Sequence, residues 1–317
     1  MKICLVKTSS MGDVIHTLPA LTDAQQVISD LQIDWVVEEN FAEIPQWHSA
    51  VRRVIPIALR RWRKSPFSSQ TRNEWKNYRT LLKQAQYDAV IDAQGLFKSA
   101  FFATRLANGV KCGYDRHSIR EPVASFFYDK KYAISYQQHA VERIRRLFAL
   151  SLGYSLPQTQ GDYGIAMHFV SEVSSRPYVI FIHSTTREDK HWLESEWQKL
   201  IEKLTALSFD IRLPWGNEKE KARAERLAYG KDNVLVLPSL SLTELAQQIV
   251  GAKVVVSVDT GLAHLTAALD KPNITLYGST DPKLIGCYGN NQYHLSAKSM
   301  SQISAERVFE QLNSILS

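Results

Sequence analysis

The run Lys7-Thr8-Ser9-Ser10-Met11-Gly12-Asp13 is a small-residue turn that ends in a carboxylate at the start of a helical pattern. Asp13 reads in two ways. It either caps that helix, accepting from backbone N–H groups that have no intrahelical partner, or acts as a general base that removes a hydroxyl proton at the mouth of a cleft. The loop carries neither the G-x-G-x-x-G fingerprint of a dinucleotide site nor the G-K-[ST] ending of a P-loop, which withdraws support from hydride-transfer cofactors.

A second group lies in the other half of the chain. His183-Ser184-Thr185-Thr186-Arg187-Glu188-Asp189-Lys190 places hydroxyls and cations after an apolar strand. Such a loop suits phosphate, although Thr185 and Thr186 equally fit a turn and Lys190 a surface position. Asp259-Thr260-Gly261-Leu262-Ala263-His264 opens a helix whose first N–H groups and dipole favour an anion, a ready seat for a diphosphate. Asp259 is either an N-cap or an acceptor for a sugar hydroxyl, and His264 either a core histidine or part of the site. In Pro214-Trp215-Gly216-Asn217-Glu218-Lys219-Glu220, Glu220, with Glu218 as its rival, could accept from both ribose hydroxyls, against the alternative of an exposed acid at a helix start.

Between the two groups, residues 52–64 (RRVIPIALRRWRK) hold six cations and no acid, five of the six being arginine. A solvated basic face is one reading. Planar guanidinium groups after a strand also suit phosphate or carboxylate, on an anionic glycolipid or a membrane surface. No helix-turn-helix, finger or RNA-recognition signature accompanies the patch, so nucleic acid is not the expected partner. No D-x-D pair and no His/carboxylate cluster with metal spacing occurs, so protein groups are expected to neutralise any leaving diphosphate.

These loops must be held by alternating strands and helices. Strands are expected at Lys2–Val6, Ile33–Val37, Val54–Ile57 and Ala89–Ala93, with helices from about Val14 to Ile28 and Arg72 to Ala85. In the latter, Trp75, Tyr78, Leu81, Leu82 and Ala85 share one face. After a Gly/Ser/Pro-rich stretch around 150–177 the alternation restarts: strands Tyr178–Ile182, Ile211–Leu213, Val234–Leu237, Val254–Val258 and Ile274–Tyr277, separated by helices. Two α/β, doubly wound parallel-sheet domains follow, 1–165 and 166–300, with a final helix at 301–317 that could pack back on the first. Facing each other, they would line a cleft with their strand-to-helix loops.

Composition agrees with this architecture. At 317 residues, 44% apolar and 22% charged, the chain has room for two cores and is not disordered. The 14 Gly and 11 Pro show no period. The first apolar run, four residues between two lysines, is shorter than the roughly 7–15 residues of a signal peptide core. Three distant cysteines, Cys4, Cys112 and Cys287, fit neither a disulfide framework nor a zinc site and suit a reducing cytoplasm. A net charge of +6 points to an anionic partner.

The strings VKTSSMGDVIHTLPAL, YDAVIDAQGLFKSA, HSTTREDKHW, LPWG, VSVDTGLAHLTAALDKPNITLYG and TDP closely resemble the lipopolysaccharide heptosyltransferases of glycosyltransferase family 9, above all those that add the first heptose. The resemblance covers nearly the whole chain. It implies the GT-B architecture of two Rossmann-like halves, with the acceptor on the amino-terminal one and the donor on the carboxyl-terminal one, no cofactor and no metal. The implied reaction moves L-glycero-D-manno-heptose from ADP-heptose to the first Kdo of Kdo-lipid A, with inversion, at the inner face of the cytoplasmic membrane. Asp13 matches the base of that family. Thr185, Thr186, Lys190, Glu220, Asp259, Thr260, Gly261 and His264 match donor positions, and Ser10, Gly12, Arg60, Arg61, Arg63 and Arg120 acceptor positions. The rival functions are addition of the second heptose and non-catalytic binding of a sugar nucleotide.

Overall fold

The computed structural model describes residues 1–170 and 174–316, so that 171–173, part of the expected SEVSSRP connection, lie outside the described residues. The chain divides into two compact units, Met1–Gly164 and Ile165–Ser317.

The first unit is built on six strands: β1 (Lys2–Val6), β2 (Gln32–Glu38), β3 (Val51–Ile57), β4 (Gln86–Asp92), β5 (Asn108–Tyr114) and β6 (Lys130–Tyr132). They pair in the order β3-β2-β1-β4-β5-β6, all parallel. The second unit has β7 (Tyr178–Ile182), β8 (Asp210–Leu213), β9 (Val234–Val236), β10 (Val254–Val258), β11 (Asn273–Tyr277) and β12 (Gln292–Ser296). Their order, β12-β11-β10-β7-β8-β9, is the same doubly wound pattern. In β7, β10 and β11 every residue is buried, as expected of parallel strands covered by helices on both faces.

Each sheet has one switch point, between β1 and β4 and between β7 and β10, where successive crossovers leave in opposite directions and the loops at the carboxyl ends part to leave a crevice. The Lys7–Asp13 loop follows β1, and the His183–Lys190 and Asp259–His264 segments follow β7 and β10, while Glu220 follows β8.

Three details depart from expectation. The helix expected over Val14–Ile28 is two, Met11–Ile15 and Leu18–Val27. Pro19 has no N–H and its ring would meet the Ile15 carbonyl in a continuous helix, whereas it sits without cost in the first turn of a new one. The stretch between Ala93 and residue 150 carries no element in the sequence reading, yet it holds helix Phe97–Phe102, β5, β6 and helix Ala140–Leu152. The inward face of that last helix includes Arg145, 1% exposed, which breaks the apolar pattern. Arg145 grips Asp23 at 2.7 Å and Glu142 at 3.0 Å and donates to the carbonyls of Pro157 and Thr159. Finally, the carboxyl-terminal helix, Ala305–Leu316, buries Ala305, Val308 and Leu312 in the second unit's own core, against helix Glu194–Ala206, β10 and β11. This final helix is thus an integral layer of the second unit.

Candidate active site

In the first unit, Ser10 precedes helix Met11–Ile15 and Asp13 is its third residue. The Ser10 N–H and hydroxyl both donate to Asp13 Oδ2 at 2.8 Å. The capping role and an accessible carboxylate therefore coexist: one oxygen closes the helix start, and the side chain remains 46% exposed. On its other side, Lys7 Nζ lies 3.7 Å from Asp13 Oδ1 and donates to the Ala93 carbonyl at 3.0 Å. Burial pulls the Lys7 pKa down, against the pull of Asp13.

The loop is pinned from β4. Gln94 Oε1 accepts from the N–H groups of Thr8 and Ser9 at 2.8 and 3.0 Å, and Asp92, fully buried, accepts from the N–H groups of Gln94 and Gly95. Burial raises the Asp92 pKa even against those bonds. Lys7, Asp92 and Gln94, which hold the Asp13 loop, are passed over by motif reading. Their signal is positional: each stands at the carboxyl end of a strand flanking the switch point.

The fold pairs three of the basic segment's six cations with acids. Arg52 and Arg53 both reach the buried Asp34 at 2.7 Å. Arg61, expected on the acceptor, is forked onto Glu39 at 2.8 Å and also reaches Glu74 at 2.9 Å, while Trp62 Nε1 donates to Glu74. Those acids stand 22 and 13 positions away, outside the run that looked acid-free. Arg60 lies over the Phe41 ring. Arg60, Arg63 and Arg120 have no ion pair among the described residues, and Gly12 is buried in the helix with Asp13. Arg60 and Arg63 thus keep their charge available beside β3, and Arg120 beyond β5.

In the second unit, Lys190 Nζ meets Asp259 Oδ2 at 2.6 Å, the side chains 15% and 9% exposed. Thr185 Oγ1 donates to the Asp259 carbonyl at 3.3 Å, and the His191 ring donates from Nε2 to the Thr185 carbonyl at 2.8 Å. The loops after β7 and β10 are thereby tied together. Asp259 is not the N-cap of helix Gly261–Ala268; that position belongs to Thr260, whose side chain makes no cap bond. His264, one turn in, is 7% exposed.

Beside this pair, Thr185, Thr186 and Glu220 line a cavity of about 300 Å³ together with His191, Asn217 and Arg223. Glu220 Oε2 accepts from the Gly216 N–H and Oε1 from Asn217, both at 2.8 Å, so it holds the turn while each oxygen retains a second lone pair. Lys190 and Asp259 stand outside this lining, joined to it through Thr185. Arg223 and His191 were not singled out by sequence; Arg223 bonds the His183 carbonyl and pairs with Glu194 at 3.3 Å. His183 is fully buried and its pKa is depressed by burial to about 4.

Taken by itself, the second unit offers a cation, hydroxyls and a helix start suited to a phosphate-bearing ligand, and the first unit offers a partly exposed carboxylate. Residues 75–313 match the family description "Glycosyltransferase family 9 (heptosyltransferase)". The chain belongs to glycosyltransferase family 9. Among its family 9 relatives, lipopolysaccharide heptosyltransferase 1 of Salmonella typhimurium is 58% identical, covering 99% of this chain and all of that one. The E. coli heptosyltransferase WaaC solved with ADP is 57% identical with a TM-score of 0.97, over 99% of this chain and all of that one. The same enzyme with ADP-2-deoxy-2-fluoro heptose gives 0.93 at 57% identity, over 99% of each. The family 9 assignment makes the chain a glycosyltransferase with the GT-B type of α/β fold.

Proposed function

We propose that this chain transfers L-glycero-D-manno-heptose from ADP-heptose to the first Kdo of Kdo-lipid A, building the inner core of lipopolysaccharide. The observation that carries the reading is the placement of complementary groups at the two switch points: Asp13 held by Ser10 and Lys7 in one sheet, and Lys190, Asp259 and the Gly261 helix start in the other. Full-length similarity to enzymes named for the first heptose, one of them solved with a fluorinated ADP-heptose, supports the choice of donor and of acceptor class.

Asp13 takes the proton of the acceptor hydroxyl as its oxygen attacks the anomeric carbon; the bond to the ADP oxygen breaks, and inversion follows from attack on the opposite face. Lys7, 3.7 Å from Oδ1, faces the carboxylate on the side away from Ser10. Lys190 and the N–H groups at Gly261 take up the charge growing on the leaving diphosphate, so the reading assigns this task to protein groups rather than to a metal or cofactor. Thr185 and Thr186 supply hydroxyls to the phosphates and Glu220 accepts from the ribose. Arg60, Arg63 and Arg120 receive the carboxylate and phosphates of the acceptor, and Arg61 acts through the Glu39 and Glu74 carboxylates it binds. The enzyme works at the cytoplasmic face of the inner membrane as a peripheral protein. Among the described residues no helix is long and apolar enough to cross a membrane.

Incubation of the purified chain with ADP-heptose and defined Kdo-lipid A, followed by mass analysis of the lipid, tests the reading. Gain of one heptose on Kdo-lipid A supports it; gain only on an already heptosylated acceptor assigns the second-heptose reaction instead, and donor binding with no transfer to either removes the enzymatic reading.

A further inference from the structure

The first unit carries an exposed aromatic surface that the transfer chemistry does not use. Phe126 is 82% exposed, Val123 47% and Phe97 41%. They rest on an ordered base. Phe97 stacks on Phe101 with centroids 5.4 Å apart, Phe127 packs on both, and the Arg105 guanidinium lies 3.5 Å over Phe101. The Phe97 N–H donates to Glu121 at 2.7 Å, which joins the helix Phe97–Phe102 to the turn Pro122–Phe127.

Its charge and its place in the fold say what it meets. Residues 96–105 and 116–131 contain Lys98, Arg105, Arg116, Arg120, Lys130 and Lys131 against two acids, Glu121 and Asp129. Both acids accept from backbone N–H groups, of Phe97 and of Lys111. The patch begins three residues after Gln94, which pins the Asp13 loop, so it lies along the same edge of the sheet as the proposed base. Exposed phenyl rings on segments with a net positive charge fit the boundary layer of an anionic bilayer, where rings enter the acyl margin and cations stay with the headgroups.

We infer that Phe97, Val123 and Phe126, with the lysines and arginines around them, form the surface on which this unit rests on an anionic phospholipid membrane. The inference builds on the proposed function, since a lipid-anchored acceptor is what would bring the Asp13 edge to a bilayer. Cations alone would give attachment that salt abolishes; the rings add a component that salt does not screen.

The test is sedimentation of the full chain with phosphatidylcholine vesicles, with and without a minority of phosphatidylglycerol. The parent chain is expected to bind the anionic vesicles and not the neutral ones. The double variant Phe126→Ser/Val123→Ser is expected to lose at least about tenfold in partitioning, the factor that burial of one such side chain already supplies, whereas Phe126→Trp retains binding. With a water-soluble, acyl-free Kdo acceptor the double variant keeps the parent kcat/KM, and with vesicle-embedded acceptor it falls. Vesicle binding unchanged in the double variant, no vesicle binding by the parent, or equal loss on soluble and embedded acceptors would overturn the inference. Absence of heptose transfer by the parent, with vesicle binding and its loss as described, would remove the proposed function and leave the membrane surface standing.

Discussion

The Lys190–Asp259 pair allows stability and catalysis to be separated in one experiment. Replacing Lys190 by Met leaves the Asp259 carboxylate, 9% exposed, without the cation 2.6 Å away. Breaking a buried pair from one side costs about 3–5 kcal/mol, and because 15% of the Lys190 side chain still meets solvent the lower end, about 3 kcal/mol, applies. For a unit of this size that lowers its melting temperature by roughly 6–12 °C. The companion change Asp259→Asn removes the orphaned charge, so the double variant Lys190→Met/Asp259→Asn should recover most of that loss. Turnover should not recover. Without the cation opposite the leaving diphosphate, kcat falls by about 10²–10³, and the double variant stays as slow as Lys190→Met. Calorimetry on the three variants and initial rates at saturating ADP-heptose read both quantities. If turnover returned together with stability, the lysine would serve only to hold Asp259, and the assignment of leaving-group stabilisation to Lys190 would fail.

Other expectations follow from the same geometry. Asp13→Asn keeps an oxygen for the Ser10 hydrogen bonds but loses the base, so turnover should vanish while calorimetric titration shows nearly unchanged ADP-heptose affinity; near-normal turnover would exclude Asp13 as the base. Arg61→Ala releases Glu39 and Glu74 and should lower the melting temperature of the first unit as well as raising the acceptor KM, whereas Arg63→Ala, with no ion pair to break, should raise the acceptor KM alone; a donor KM that rises equally in either variant would count against the acceptor assignment. Stability should depend on pH through His48 and His183, one in each unit, whose pKa values are both depressed by burial from 6.5 to about 4. The unfolded chain takes up these protons first, so stability is fully present above pH 6.5, declines as pH falls toward 4 and levels off below, by up to about 3 kcal/mol per histidine. Denaturant titrations across that range check it: the decline from pH 6.5 to 4 is expected to be smaller in a His183→Gln/His48→Gln background than in the parent, the remainder belonging to carboxylates such as Glu194 and Glu196, whose pKa values are lowered by hydrogen bonds from Arg226 and Lys199.

Much of this molecule is readable in one dimension. Strand β7 is a continuous apolar run, and β1 and β10 are nearly so apart from Lys2 and Ser257, each with a polar loop at its carboxyl end; local pattern suffices because a strand buried on both faces must be largely apolar. Asp13, Lys190, Glu220 and Gly261 draw attention for a related reason: each stands at a strand-to-helix junction, where residue type alone suggests a chemistry. What only the tertiary structure decided is which groups meet. Lys190 finds Asp259 across 69 positions and Gln94 pins Thr8 across 86, because β7 lies beside β10 and β1 beside β4, an order that local pattern does not encode. The same cause makes Arg61 a bound residue rather than a free one, and places Arg145 inside a helix face where sequence periodicity expects a hydrocarbon. A charge is readable from its letter; whether it is free to act depends on a neighbour supplied by the fold.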